Sequence, residues 1–399
     1  MAGYEPDPTE ITDDFSSAGS NQSGMRARNE RLVLSLLRRL GPQAKAEIAR
    51  KTGLSAQTVS VIMRALESDG LLEKGEKVRG RVGQPSVPMR LSPDGAYFLG
   101  MKVGRRSAEL ILVNFTGEEL AHVTETYAFP TPDMALRFAR QAVEEVCATL
   151  PIERRSRIAG MGIASPFFLW EWATMIGVDP DKMDAWRDFD LRAEVGALFD
   201  FPVYLGNDAT SACGAELTFG TGTPPPDFLY IYIGYFIGGG IALNGSLYTG
   251  RSGNAGAIGP FLITTPSGAQ KQLIDAASLI GLERRVEARA GDTNAMMTGQ
   301  GAWEIDGGAV EDWLTEAVPA LAQLIVGAGS IMDFPAVLID GNMPSKLRDM
   351  VIAQVTKALE AMPSTGVVTP DIRAGTLGPR ARPLGAASLP LSKRFMLED

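Results

Sequence analysis

Two groups of residues have types and spacing that could do chemistry. The first is a run of three glycines, Gly238–Gly240, which follows the apolar segment 228–233 and precedes a second apolar run. Glycine has no Cβ, so a backbone built from it can approach a bound ligand closely. The same pattern is typical of a glycine-rich β-hairpin that binds nothing, and this stretch alone favours neither interpretation.

The second group is polar and lies at residues 55–64. Its hydroxyl, amide and guanidinium groups are of the kind that hydrogen-bond to base edges in the major groove of DNA. The residues that we predict to contact DNA here are Ser55, Ala56, Gln57, Thr58, Ser60 and Arg64.

Three predicted helices would position this group. Residues 26–41 are amphipathic, a short helix follows over 44–52, and Ser55 can cap a third helix after the turn glycine Gly53. We expect one apolar face on the first helix, made of Leu32, Leu36, Leu37 and Leu40. The third helix should bury Val59, Ile62, Met63 and Leu66. Helix, short turn with glycine, and capped helix together form a helix-turn-helix signature.

The segment after this signature suits a two-stranded wing that starts at Leu71. Arg79, Arg81 and Gln84 lie at its glycine-rich tip, where arginines would reach phosphates or a narrow minor groove. The alternative is a helical protein-interaction module with a solvated basic face.

Charge supports the DNA interpretation. The net charge of −9 is unevenly spread: residues 26–91 carry 14 Lys and Arg against six Asp and Glu, a local net of +8. Residues 1–25 carry five acids and no Lys or Arg. A basic module on an acidic chain indicates a polyanionic partner for that module alone.

Composition restricts the other possibilities. Two cysteines and one histidine are too few for a structural zinc site, so we expect no metal and no cofactor. We find no apolar run of about 20 residues and no signal peptide, which predicts a cytoplasmic protein with no membrane partner.

Beyond Gly95 the pattern is strand, strand, strand, helix, strand, which is the opening of an actin-like, ribonuclease-H-like lobe. A later stretch repeats the alternation, so the predicted fold is α/β, an N-terminal winged helix followed by a two-lobed actin-like domain. The predicted domains are a disordered tail (1–24), the winged helix (25–94), a first lobe (95–205, with the helix near 385–399 returning to it) and a second lobe (206–384).

These segments together resemble the ROK family of repressors, open reading frames and sugar kinases, in particular its winged-helix regulators of sugar metabolism. The resemblance covers about residues 26–399. The motifs that carry it are the helix-turn-helix at 44–69, GIAS at 162–165, GNDATSACGAE at 206–216, IGGGIALNGSLYTGRSGNAGAIG at 237–259, VLIDGN at 337–342 and LGAASLP at 384–390.

The resemblance implies a ligand site, in which the aspartate of an Asn-Asp pair acts as general base in the kinases. The effector-binding residues that it implies are Asn207, Asp208, Gly238, Gly239 and, as a weak substitute for a ligand glutamate, Asp275. The alternative for Asp208 is a helix N-cap. Aromatic residues that would cover a sugar, or belong to the core, are Phe167, Phe168, Trp170, Trp172 and Trp186.

The Asn-Asp pair is kept at Asn207 and Asp208, but the chain departs from the kinase pattern at the phosphate, sugar and zinc positions. The first hairpin reads Lys102-Val103-Gly104-Arg105-Arg106 in place of the family's Asp-x-Gly-x-Thr, and Tyr235 and Phe236 stand where small residues leave room for phosphate. Ala257 and Pro260 replace the glutamate and histidine of the sugar loop, and the cysteines of the family's zinc loop are missing. The resemblance therefore predicts a site without catalysis.

We expect a DNA-binding transcriptional regulator, a repressor of carbohydrate-related genes, whose effector binds in a degenerate kinase-like cleft. Its predicted partners are a double-stranded operator, a sugar or sugar derivative, and further copies in a homodimer or dimer of dimers. Two alternatives stay open: an active sugar kinase with an accessory DNA-binding domain, and a dimeric regulator that binds no ligand.

Overall fold

The computed structural model describes residues 22–76, 87–222, 224–265, 267–298, 303, 306–363 and 365–397. The described residues divide into two compact units. One holds the residues up to Ser92 together with Phe395–Leu397, and the other runs from Pro93 to Arg394.

The first unit is a three-helix bundle with a short two-stranded sheet. Its elements are α1 (Gln22–Leu40), α2 (Lys45–Thr52), α3 (Ala56–Ser68), β1 (Leu72–Lys74) and β2 (Met89–Leu91). The two strands pair antiparallel, Leu72 opposite Leu91. Most of the predicted tail lies outside the described residues, but helix α1 begins at Gln22. The last three residues predicted as tail are therefore helical.

The core of the first unit agrees with the sequence in α3 and differs in α1. The predicted stripe of α3 is buried as expected. In α1 the buried residues are Val33, Leu34 and Leu37, whereas Leu40 is 44% exposed. Of the four leucines predicted to form the apolar face, Leu37 is therefore buried as expected, Leu32 and Leu36 are half-buried, and Leu40 is exposed at the last residue of the helix.

The C-terminal residues complete this unit. The backbone N–H of Leu397 donates a hydrogen bond to Ser35 Oγ on α1, at 2.9 Å. The Ser35 hydroxyl faces the sulfur of Met396, 3.7 Å away, and Met396 is buried. Residues from both ends of the sequence therefore pack into one small core.

The second unit contains two five-stranded sheets. The first consists of β3 (Tyr97–Val103), β4 (Ser107–Asn114), β5 (Glu119–Thr126), β6 (Ile158–Ala164) and β7 (Val203–Gly206). The second consists of β8 (Phe228–Ile233), β9 (Ile237–Leu243), β10 (Ser246–Tyr248), β13 (Ala336–Gly341) and β14 (Asp371–Ala374). A hairpin of β11 (Leu262–Thr264) and β12 (Gln270–Gln272) lies between them in sequence.

The two sheets share one topology. Their strand orders are β5-β4-β3-β6-β7 and β10-β9-β8-β13-β14, so in each the third, second, first, fourth and fifth strands lie side by side. The first three strands of each sheet are antiparallel, and the last two run parallel to the first. This duplication is the predicted actin-like fold.

Helices cover both sheets. They are α4 (Pro132–Ala148), α5 (Ile152–Arg155), α6 (Leu191–Gly196), α7 (Asp208–Phe219), α8 (Leu273–Ala277), α9 (Leu279–Ala288), α10 (Asn294–Thr298), α11 (Gly307–Met332), α12 (Ser345–Glu360) and α13 (Ala381–Phe395). Helices α8 and α9 are separated by Ser278, whose backbone is extended. Ser278 Oγ accepts from the backbone N–H of Ile237, so the break ties this segment to β9.

Helix α13 packs closely against the first sheet and α7. A Cβ on Gly162 of β6 would lie 1.8 Å from the Ala386 carbonyl oxygen, and one on Gly385 would lie 2.2 Å from the Ser211 carbonyl oxygen. These contacts require glycine because the two backbones touch. They bring the start of α13 beside the start of α7.

Among the described residues, one helix is long and apolar enough to cross a membrane. Helix α11 has a mean hydropathy of 1.4 over its most apolar stretch, and half of that stretch is buried in the protein. We expected no apolar segment of about 20 residues, and α11 contradicts that expectation by its length and its mean hydropathy. Trp313, Leu321 and Ile325 of this helix belong to the core of the second sheet, which explains its apolar character.

Candidate functional site

Helix α3 presents a polar face to solvent. Ser55 caps the helix through Oγ, which accepts from the Thr58 N–H at 3.1 Å and hydrogen-bonds to the Thr58 hydroxyl at 2.8 Å. The cap therefore occupies the hydroxyls of Ser55 and Thr58. Ala56, Gln57 and Arg64 are exposed, while Ser60 is half-buried on the same side.

Val61 extends this face, and the sequence analysis did not select it. It is 46% exposed on a helix whose other large apolar residues, Val59, Ile62, Met63 and Leu66, are buried. An apolar side chain among polar ones on such a face is suited to contact the methyl group of thymine. The signal was present, because Val61 falls outside the period of the buried stripe.

The wing contains β1 and β2 as predicted, and residues 75–88 lie between them in sequence. Arg79, Arg81 and Gln84, which were predicted at its tip, lie outside the described residues.

In the second unit, a buried ionic cluster lies on β3, β4 and β5 beside the turn between β3 and β4. The Lys102 ammonium donates to Glu109 Oε1 at 2.5 Å and to Ser107 Oγ at 3.0 Å, and its side chain is 7% exposed. His122 approaches the other oxygen of Glu109 at 3.5 Å. The residue that replaces the family's aspartate is therefore fixed by a neighbouring carboxylate.

The pKa values in this cluster follow from burial and pairing. Burial lowers the pKa of the Lys102 ammonium, against the attraction of Glu109. Burial alone would raise the pKa of Glu109, but the charge of Lys102 and the hydrogen bonds from His122 and Lys102 lower it below its usual range. The hydrogen bond to Glu109 raises the pKa of His122.

Asn207 and Asp208 lie at the start of α7, directly after β7. Asn207 Oδ1 accepts from the N–H groups of Ala209 and Thr210, at 3.1 and 3.2 Å, so Asn207 is the N-cap and Asp208 is the first helical residue. The capping role considered for Asp208 belongs to its neighbour.

Asp208 forms an ion pair that the sequence did not indicate. Arg382, at the start of α13, donates from Nη1 to Asp208 Oδ2 at 3.3 Å, and both side chains are nearly buried. The guanidinium also lies 5.1 Å from the centre of the Tyr232 ring. The carboxylate that the resemblance assigns as general base in the kinases is therefore held in an ion pair in this protein.

The packing around the three glycines of β9 leaves no room for a side chain at any of them. A Cβ on Gly238 would lie 2.6 Å from the Ala209 Cβ, and one on Gly240 would lie 2.5 Å from the Cys213 Cβ, both on α7. A Cβ on Gly239 would lie 2.6 Å from the Tyr230 carbonyl oxygen. Close helix and strand packing therefore explains these glycines without a ligand.

The turn between β8 and β9 is filled by aromatic side chains. Phe236 packs edge-on against Trp172, with ring centres 4.7 Å apart, and against Tyr235 at 4.9 Å. The Arg105 guanidinium lies 4.6 Å from the centre of the Tyr235 ring. The two turns are thus in contact.

The remaining predicted ligand residues are spread over the unit. Asp275 is exposed in the first turn of α8. Trp186 is buried, and its Nε1–H donates to the Pro130 carbonyl at 3.0 Å, which makes it a core residue. Phe168 is 49% exposed, and Trp170 and Trp172 are half-buried against the core of the first sheet.

Two buried carboxylates near α7 serve the structure. Asp340, at the end of β13, accepts from the N–H groups of Gly341 and Gly378, both at 2.9 Å, and from the Tyr230 hydroxyl at 3.2 Å. Glu216 accepts from the Thr376 hydroxyl at 2.7 Å. Burial raises the pKa of each carboxyl group, and these hydrogen bonds oppose that shift.

Comparison with known sequences matches both units. Residues 98–393 match the ROK family, and residues 26–73 match a profile described as winged helix-turn-helix DNA-binding. Transcriptional regulator Mb0495 of Mycobacterium bovis is 24% identical over 387 residues, which cover 90% of this chain and 84% of that protein. The xylose repressor of Bacillus subtilis is 23% identical over 244 residues, 61% of this chain and 62% of the repressor's length.

Solved structures agree on the fold. A ROK family transcriptional regulator, a homologue of the E. coli Mlc protein, has a TM-score of 0.66 at 21% identity and covers 92% of this chain and 96% of that one. A ROK family glucokinase from Streptomyces griseus in complex with glucose and AMPPNP has a TM-score of 0.58 at 22% identity, covering 74% and 99%. Regulators and kinases therefore share this architecture, and the predicted fold class is confirmed.

Proposed function

Because the chain belongs to the ROK family and begins with a winged helix-turn-helix, we propose that it is a DNA-binding transcription regulator that represses carbohydrate-related genes. The observation that carries this proposal is the exposed face of α3, which presents Gln57, Val61 and Arg64. The opposite face of this helix is buried, and Ser55 caps its N-terminus. Amide and guanidinium groups on such a face hydrogen-bond to base edges, and a valine contacts thymine methyl groups.

We propose further that the second unit binds an effector without catalysing phosphoryl transfer. Transfer needs a free carboxylate base and a cradle for phosphates and Mg²⁺. Here Asp208 is paired with Arg382, and Lys102 occupies the place of the family's first aspartate. The aromatic side chains of Tyr235 and Phe236 fill the second turn.

An effector in this unit would act by favouring one of two conformations, and the favoured one would differ in operator affinity. The predicted homodimer or dimer of dimers, whose two recognition helices would match a pseudo-palindromic operator, is part of the proposal, as is a cytoplasmic location. The xylose repressor relative supports a carbohydrate effector.

The test of DNA binding starts with selection of genomic fragments by the purified full-length protein, followed by fluorescence anisotropy on the recovered site. Gln57→Ala and Arg64→Ala should each weaken binding about 5- to 100-fold, because a well-placed base contact is worth about 1–3 kcal/mol. Lys357→Ala removes an exposed charge from the second unit and should leave the affinity unchanged. Equal affinities for all four proteins would refute the role of α3.

The kinase alternative has its own test. The purified protein should not phosphorylate any hexose in a coupled assay with ATP and Mg²⁺, while a ROK glucokinase in the same assay does. Phosphorylation of one sugar that is lost in Asp208→Asn would revive that alternative and contradict the proposed site.

A further inference from the structure

The turn between β3 and β4 contains two arginines whose hydrogen-bonding capacity is largely unused. Nε and Nη1 of Arg105 and Nη1 of Arg106 are buried and have no hydrogen-bond acceptor among the described residues. Arg105 makes one hydrogen bond, from Nη2 to the Ile176 carbonyl at 3.3 Å. Arg106 forms an ion pair with Glu283 at 2.9 Å. Three buried nitrogen atoms of the two guanidinium groups therefore have no acceptor among the described residues.

The surroundings of these donors are aromatic and basic. Arg105 and Arg106 lie 4.6 and 5.6 Å from the centre of the Tyr235 ring. Phe236 and Trp172 continue the aromatic wall behind Tyr235. Glu283 is the carboxylate that pairs with this cluster in the described part of the chain, so it offsets one of the two charges.

Such an arrangement is costly unless something accepts the hydrogen bonds. A buried donor without an acceptor loses its solvation, and the loss is larger for a charged group. Burial also lowers the pKa of the Arg105 guanidinium, with the Tyr235 phenol opposing the shift. Buried polar groups in proteins almost always have a hydrogen-bond partner, so these donors call for an acceptor such as a water molecule, an ion or a ligand. The planar fork of arginine fits the two oxygens of a carboxylate or phosphate.

We propose that Arg105 and Arg106 bind the oxyanion of an acidic sugar derivative, whose apolar face contacts Tyr235 and Trp172. Aromatic rings accept the apolar face of a sugar, and the guanidinium groups select a phosphorylated or carboxylated form over a neutral one. This inference rests on the proposed function in taking the effector to be a carbohydrate. The site lies at the contact of the two sheets' turns, so an anion there bridges both halves of the second unit.

The experiment measures the melting temperature of the full-length protein at constant ionic strength. Its probes are glucose 6-phosphate, glucuronate, glucose, inorganic phosphate and ATP. At a concentration about 100 times its Kd, an acidic sugar should raise the melting temperature by about 3–8 °C. Glucose should give no shift. Comparing glucose 6-phosphate with glucuronate shows whether a phosphate or a carboxylate is preferred.

Variants assign the effect to the two arginines. Arg105→Met and Arg106→Met keep the length of the side chain and remove the donors, so each should raise the Kd for the acidic sugar at least tenfold. Arg192→Met, an exposed arginine on α6, is the matched control and should keep the wild-type shift. Circular dichroism should show a folded protein in all three variants, which separates a lost site from a lost fold. Arg106→Met should melt at a lower temperature without ligand, because it leaves the buried Glu283 without its partner, so each ligand shift is measured from the variant's own melting temperature.

Several results would overturn the proposal. They are an absence of any shift with both acidic sugars, an equal shift with glucose, a shift with ATP alone, and an unchanged Kd in Arg105→Met and Arg106→Met.

Operator binding is measured separately on the same samples. If anion binding holds and operator binding fails, the proposed function is wrong and the site stands; the reverse result removes only the site.

Discussion

The two β-hairpin turns that face each other in the second unit occupy the same place in sheets of the same strand order. The turn between β8 and β9 is shut: its aromatic side chains pack together, and the glycines after it touch α7. The turn between β3 and β4 has donors at Arg105 and Arg106 without an acceptor among the described residues, and the strands beside it carry the buried ion pair of Lys102 and Glu109. Aromatic packing fills the turn between β8 and β9, whereas the turn between β3 and β4 has buried donors without an acceptor among the described residues.

This difference shows that a glycine-rich sequence indicates close backbone packing but does not by itself indicate a ligand site. Glycines follow from a close approach of backbones, and in β9 the approaching groups belong to the protein itself. The capacity to bind a ligand depends on donors without partners, which the first turn has and which a glycine pattern does not reveal.

The largest expected effect comes from breaking the ion pair in the first turn. Lys102→Met should lower the free energy of unfolding of the second unit by about 3–5 kcal/mol, because it leaves Glu109 charged and nearly buried. The double variant with Glu109→Leu should recover most of that loss. Urea unfolding followed by tryptophan fluorescence measures both. Equal losses in the single and double variants would contradict the pairing.

The same pair gives a dependence on pH with a definite sign. The pKa of Glu109 is lowered on folding, so its contribution is present above the pKa of an unfolded glutamate, about 4.3. It is lost as the pH falls through the folded value. The difference between wild type and Lys102→Met should therefore shrink below about pH 4.3.

We expect a smaller loss of stability from a change at Gly238, which follows the turn between β8 and β9 and packs against α7. Gly238→Ala places a Cβ 2.6 Å from the Ala209 Cβ and should cost about 1–3 kcal/mol through overpacking. Ala209→Gly alone should cost about 1 kcal/mol as a glycine in a helix. Combined, the two should cost less than their sum. An additive result in thermal unfolding would mean that the helix does not explain this glycine.

The smallest effect concerns His122, at the edge of the first turn's ionic cluster. Its pKa is raised by Glu109, so its contribution is fully present below an unfolded pKa of about 6.5 and is lost as the pH rises through the folded value. The side chain is 39% exposed, so screening limits the contribution to less than about 1 kcal/mol. Thermal unfolding of His122→Gln should differ from wild type at pH 6 and coincide with it at pH 9.

The sequence predicted the regular elements because they depend on local periodicity and capping. The α3 stripe, the Ser55 cap and the β3–β4 hairpin are as expected. The break at Ser278 was not predictable in this way, since it results from hydrogen bonds to distant β9.

A site residue was predictable when its own type indicated its role. It was not predictable when its role depends on a side chain that is distant in sequence. Lys102 signalled a departure from the kinase pattern, but nothing in the sequence paired Asp208 with Arg382, 174 residues away. Glu109 did carry a signal, because a charged residue within an apolar strand must be paired when buried. The unpaired donors of Arg105 and Arg106 emerge only from the packing around them.

The hydrogen bond between Ser35 and Leu397 has a consequence for synthesis of the protein. The first unit emerges from the ribosome about 300 residues before Phe395–Leu397, which complete it. At about 5–20 residues per second, that interval is about 15–60 s. A nascent or prematurely terminated chain therefore lacks a piece of the unit proposed to read DNA. Truncation before Met396 should therefore lower the stability of the first unit, because it removes the contacts of Met396 and Leu397 with Ser35.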